Sequence, residues 1–153
     1  MNKDGSGRSK AFPYPISAIQ NISPDRRWVL AMTPLFNGEI GAATMAVPTG
    51  KGSVRTICSS WCPSVWSPDG RFLYVQIEPK SRTSPGKMIA LAITPETGLP
   101  ELPEAGIQSA AQAIAIPRSR VMEQADIVPG LDSGTYAYVK TTVNRNLFRI
   151  TVP

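Results

Sequence analysis

Two cysteines, 11 acidic residues and 16 lysines and arginines carry the side-chain chemistry of this 153-residue chain, which has no histidine. The missing imidazole removes every Ser-His-Asp or Cys-His arrangement from the chain itself. It also removes the commonest zinc ligand. A Ser-Lys mechanism stays formally open, but no motif supports one. Cys58 and Cys62 form Cys-Ser-Ser-Trp-Cys. A metal would need two further ligands, and the chain has no third cysteine. The spacing is also not the Cys-x-x-Cys of redox motifs. Two readings of the pair remain: a local disulfide in an oxidising compartment, or buried or free thiols. Trp61 lies between the two cysteines, which makes it the candidate exposed aromatic and contact residue.

The carboxylates do not suggest acid–base work. Glu101 and Glu104 fall in a proline-rich stretch, and no pair has a reason to meet as general acid and base. Gly38, Gly41, Gly50, Gly52 and Gly86 build neither a Gly-x-x-x-x-Gly-Lys-Ser/Thr loop nor a Gly-x-Gly-x-x-Gly turn. Net charge is +5, but the basic residues are scattered from Lys3, Arg8 and Lys10 to Arg149. No helical stripe or aromatic–basic interleaving appears, so the charge reads as a solvated surface rather than a nucleic-acid interface. The expectation is a non-enzyme with no catalytic residues, no metal and no cofactor.

The elements that must position these residues are announced by a repeated turn. Ser23-Pro24-Asp25-Arg26-Arg27-Trp28-Val29-Leu30 and Ser67-Pro68-Asp69-Gly70-Arg71-Phe72-Leu73-Tyr74 lie 44 residues apart. Pro68 pre-sets φ for the first central position of a type I turn. Asp69 accepts from nearby backbone N–H groups, and Gly70 takes a positive φ without steric cost. Ser64-Val65-Trp66 and Phe72 to Ile77 flank the turn with the aromatic and β-branched residues that strands prefer. In the first copy Arg26 replaces the glycine, so either Arg26 adopts a left-handed conformation or that turn differs. A period of about 40–50 residues with one such turn per unit marks a β-propeller blade.

A third unit is degenerate. Pro129 to Val139 has turn residues followed by a strand, but Asp132 follows Asp69 by 63 residues, which leaves about 19 residues as an insertion beyond the period. The stretch 95–120 is that insertion: it is rich in proline, glutamate and alanine and lacks alternation. Within it, 106–116 predicts two or three helical turns, stopped by Pro117. Strands are expected near 16–22, 28–33, 41–47, 53–58, 63–67, 72–78, 87–93, 125–128, 135–142 and 146–152. Trp28 and Trp66 flank the turns, where large side chains pack into a core.

The chain therefore divides into a linker or disordered end at 1–12 and a partial β-propeller at 13–153. Its blade units are 16–60, 61–94 and 121–153. The fold class is all-β, with two to three four-stranded antiparallel blades and a short helical insertion. The same signals also fit a small independent β-sandwich. Propellers usually need at least about four blades, so the chain reads as a piece of a longer protein, most simply its C-terminal end. Its open blade edges invite self-association. No apolar run approaches about 18 residues, so no membrane insertion by this segment is expected. The polar start, Met1 to Lys10, lacks the apolar core of a signal peptide. The compartment is left open.

Trp66-Ser67-Pro68-Asp69-Gly70-Arg71-Phe72-Leu73-Tyr74-Val75 resembles the Pro-Asp variant of the WD-repeat propellers, the TolB-like blade. Ser23 to Leu30 matches it less well. The segment from Asp132 through Tyr136-Ala137-Tyr138-Val139-Lys140 to Ile150 is similar to the closing unit of such propellers, in particular the C-terminal propellers of bacterial serine/threonine protein kinases. No kinase motif is present. The resemblance implies a non-catalytic module of a larger protein that binds a protein or peptide partner, or the rest of its own parent chain. The alternative is an accessory propeller of a kinase or a prolyl-peptidase-like hydrolase, with catalysis in another domain. The loops between strands and the 95–120 insertion are the expected binding surface.

Overall fold

The computed structural model describes residues 15–36, 39–78, 86–122, 124, 127–131 and 134–138, together with Asp4 and Ser6. The first Ser-Pro-Asp turn joins β1 (Ala18–Ile22) to β2 (Trp28–Phe36). Two further strands, β3 (Glu39–Pro48) and β4 (Arg55–Cys58), complete a four-stranded antiparallel sheet in sequential order. The second Ser-Pro-Asp turn joins β5 (Ser64–Trp66) to β6 (Phe72–Ile77), followed by β7 (Lys87–Ala92) and β8 (Arg120–Val121). These again form a four-stranded sheet in sequential order, all antiparallel. A third ladder pairs β9 (Ile127–Pro129) with β10 (Tyr136–Tyr138). The fold is all-β, with one short helix and no closed barrel among the described residues.

Strand periodicity decides which side chains meet. Leu73, Val75 and Ile77 of β6, with Ile89 and Leu91 of β7, point to one face of the second sheet. There they join Leu30, Ala46 and Ile57 of the first sheet in one buried cluster. The two sheets thus pack face to face. A fully buried leucine or isoleucine there contributes about 1.5–3 kcal/mol. The alternate residues Phe72, Tyr74, Met88 and Ala90 cluster on the opposite face with Ile127, against the β9–β10 ladder. Every residue of β6 is buried. A central strand covered on both faces reads as a continuous apolar run, and Phe72 to Ile77 does so except at Gln76.

The insertion differs from the sequence expectation. The sequence places it between the second unit and a third one opening at residue 121. Instead Arg120 and Val121 pair with Ala90 and Ile89, so they form the outer strand of the second sheet. The stretch between β7 and β8 is an excursion within that sheet. It is also a built part of the core. Ile107 forms a parallel bridge with Cys58 at the edge of the first sheet. Leu99, Ile107, Ala110, Ala113 and Ile116 all enter the inter-sheet cluster.

The helix α1 (Ala110–Ala115) is shorter than expected because Gly106 donates its N–H to the Pro103 carbonyl in a turn and Ile107 is spent on that bridge. Ser109 caps it by accepting from the Gln112 N–H, while the Gln112 side chain reaches back to the Gln108 N–H. Such reciprocal capping fixes a helix start. The Glu78 carboxylate takes a further N–H, that of Ala110, at 3.3 Å. The expected strand at 146–152, the end of the one expected at 135–142, Asp132 and nearly all of the 1–12 segment lie outside the described residues.

Candidate functional site

The two Ser-Pro-Asp turns are one structure built twice. In each, the serine hydroxyl donates to the aspartate Oδ1, at 2.6 Å for Ser23–Asp25 and 2.5 Å for Ser67–Asp69. In each, the serine Oγ accepts the N–H five residues on, that of Trp28 or Phe72, at 2.9 Å. The aspartate Oδ1 accepts the N–H of Arg27 or Arg71 at 3.0 Å. Arg26 and Gly70 donate their N–H to the serine carbonyl. Both serines are buried, while Pro24, Asp25, Pro68 and Asp69 are exposed. The sequence assigned these seven residues a structural role, and their hydrogen bonds are those of turn formation.

The first turn also binds the loop that follows β7. The Arg27 guanidinium donates Nη1 to the Glu96 carbonyl and Nη2 to the Pro95 carbonyl, both at 2.8 Å. Its Nε pairs with Asp25 Oδ2 at 2.6 Å. The Trp28 indole donates to the Thr97 carbonyl at 2.8 Å. Gly98, at φ +70°, lets this loop approach closely: a Cβ there would lie 2.7 Å from Arg27 Nη2. Burial raises the Asp25 carboxyl, but the Ser23 hydroxyl and the N–H and guanidinium of Arg27 outweigh it. The net result is a carboxyl held below its usual value.

Between the turns lies a cleft of about 710 Å³. Its polar rim carries Arg27, Arg71, Arg118 and Arg120, and its apolar wall includes Trp66, Phe72 and Ile93. Arg120 stacks over the Phe72 ring, 5.2 Å from the centroid. Trp66 is only 3% exposed, as its expected packing role requires. Nothing local in the sequence announces this cleft, because its arginines come from three separate stretches of chain, around residues 27, 71 and 118–120.

A second concavity, about 450 Å³, opens at the other end of the second sheet, by the start of β5 and the end of β6. Trp61, Val65, Met88, Ile127 and Val128 line it with Gln20. Trp61 is 48% exposed and Val128 66%, so the aromatic between the cysteines does face solvent. Its position is fixed from both sides. Cys58 and Cys62 are joined in a disulfide with Cα atoms 6.2 Å apart, and both cysteines are buried. The Cys62 carbonyl accepts from Thr44 Oγ1 at 3.0 Å. Gln20 Oε1 accepts the Ser64 N–H at 2.8 Å, which ties β1 to β5.

Among the described residues, no group of three histidines, cysteines, aspartates or glutamates is placed to hold a metal ion. No described helix is long and apolar enough to cross a membrane. Comparison with protein-family models, curated proteins and solved structures gives no significant match.

Proposed function

We propose that this chain is a non-catalytic interaction module. In this reading it is two successive propeller-type blades and the start of a third, belonging to a larger protein, and it binds a protein or peptide partner. Two features support the blade reading: two sequential four-stranded sheets, each entered through the same Ser-Pro-Asp turn, and the close approach of their first strands β1 and β5. The observation that carries the binding reading is the groove headed by Trp61. A half-exposed tryptophan on a loop closed by a disulfide loses little backbone entropy on contact, and aromatics of this kind anchor interfaces. The 95–120 insertion is a weaker candidate surface than its sequence suggests, since much of its apolar content is used in the core.

The test is selection of displayed peptides on the full chain, followed by titration of the winners against wild type and Trp61→Ala. Peptides with an apolar anchor should be selected, and Trp61→Ala should weaken them by about tenfold or more, which is about 1.4 kcal/mol. Its melting temperature should stay within a degree or two of wild type, because an exposed side chain contributes little to stability. Selection of no peptide, or equal binding by the variant, would overturn the reading. Light scattering on the purified chain tests the blade reading separately. Oligomers are expected from open edges, whereas a cooperative, stable monomer points to a self-contained sandwich.

A further inference from the structure

The cleft between the two turns is at the opposite end of the second sheet from Trp61, and it has a different chemistry. Among the described residues, four arginines line it with two aspartates, Asp25 and Asp69. The arginines are not equivalent. Arg27 is consumed by Asp25 and by two backbone carbonyls. Among the described residues, the guanidiniums of Arg71 and Arg118 have no ion pair or hydrogen bond, and Arg120 meets only the face of Phe72.

Arg118 is also held in an unusual conformation. It follows Pro117 at φ 60°, and the Ser119 N–H donates to the Ile116 carbonyl at 3.1 Å. This is the pattern of a type II turn, whose third position favours glycine. A long cationic side chain stands there instead, on the rim of the cleft. Backbone outliers of this kind gather at binding sites. The wall beside these charges is apolar, with Phe72, Ala92 and Ile93.

We propose that this cleft binds an organic carboxylate, a carboxyl group carried on an apolar body. Arg71, Arg118 and Arg120 take the charge, and Phe72 with Ile93 takes the apolar part. The planar guanidinium fork matches a carboxylate with two parallel N–H···O bonds. The site stands whether or not Trp61 contacts a peptide, since the two surfaces share no lining residue. A free small acid and a peptide C-terminus both present this chemistry, and the experiment separates them.

The full chain, labelled with 15N, is titrated with 4-phenylbutyrate as a small acid and with acetyl-Gly-Gly-Leu as a peptide C-terminus. Acetyl-Gly-Gly-Leu amide and inorganic phosphate are the controls. The indole N–H signals report position: Trp66 lines the cleft, whereas Trp61 lies in the groove. The expected result is a saturable shift of Trp66 with at least one acid, leaving Trp61 unmoved. The amide and phosphate should bind at least about tenfold more weakly. The tighter of the two acids identifies the source. Arg71→Gln and Arg118→Gln, made singly, should each weaken the acid several-fold, and Arg55→Gln, outside the cleft, should not. The proposal is overturned if neither acid shifts Trp66 saturably. It is also overturned if the amide or phosphate binds as well as the acids, or if both arginine variants bind like wild type.

Discussion

Arg26 and Gly70 hold the same place in two copies of one turn, with φ of 60° and 70°. The backbone demands the left-handed region at both positions, yet only the second copy supplies the residue that adopts it without strain. For an ordinary residue that conformation costs about 1–2 kcal/mol. Glycine returns about 0.5–1 kcal/mol of that through its freer unfolded chain. Arg26→Gly should therefore stabilise the protein by about 0.5–1 kcal/mol, and Gly70→Arg should destabilise it by a similar amount. The Arg26 carbonyl, which accepts from Thr49 Oγ1 at 2.7 Å, is retained in the glycine variant. Urea unfolding midpoints of the two variants, with unchanged m-values, check both signs.

The turns were legible in the sequence because their chemistry is local. Ser67 meets Asp69 and Phe72 within five residues, so the motif carries its own structure. Strands β6 and β7 were legible through apolar content. The outer strand β8 was not: Arg120 and Val121 are too few to show alternation. Their register is set by Ala90 and Ile89, across a long excursion. The same separation hid the arginine cleft. Arg71 follows a recognisable turn, but nothing near Arg118 or Arg120 in sequence says that all three converge. Trp61 could be singled out because the cysteines on either side fix it locally, while the groove around it depends on Val128, far along the chain.

Ser67 holds the second turn closed from inside. It is fully buried, and its Oγ accepts from the N–H groups of Phe72 at 2.9 Å and Arg71 at 3.1 Å. Ser67→Ala leaves the buried Phe72 N–H without that acceptor, which costs about 1–3 kcal/mol. Ser23→Ala should cost no more, because Ser23 Oγ takes the Trp28 N–H alone. Thermal melts give the ranking. Faster hydrogen exchange at the Phe72 amide in Ser67→Ala places the loss at the turn rather than elsewhere.

The Cys58–Cys62 disulfide closes a short loop, with a sequence separation of 4. Short loops remove little unfolded-chain entropy, so its stabilisation is about 2 kcal/mol. Reduction should lower the melting temperature by several degrees without abolishing the fold. Both cysteines are 1% exposed, so reductant should act slowly on the native protein and quickly in denaturant. Thiol titration should find no free cysteine in either condition before reductant is added. A reactive thiol in the denatured, unreduced chain would contradict the pairing.

Asp25 links the first turn to pH. Burial raises its carboxyl, but the Ser23 hydroxyl and Arg27 prevail, so its folded-state pKa lies below the unfolded value of about 3.9. A group depressed on folding binds fewer protons in the folded state, so acid favours unfolding. Its contribution to stability is full above about pH 4 and is lost as pH falls through the lowered folded-state value. The pair is solvent-facing, with side chains 45% and 39% exposed, so added salt should shrink the contribution. Asp25→Asn cannot lose a proton there. Urea midpoints measured between about pH 6 and pH 2.5 should fall less steeply for the variant than for wild type. At neutral pH the variant should also loosen the hold of Arg27 on the Glu96 and Pro95 carbonyls. Exchange at amides of the 94–99 turn should then quicken, while the second Ser-Pro-Asp turn, built on Asp69, keeps its protection. Equal acid sensitivity in both proteins would show that other carboxylates govern the acid limb, and that the Asp25–Arg27 pair only positions the turn.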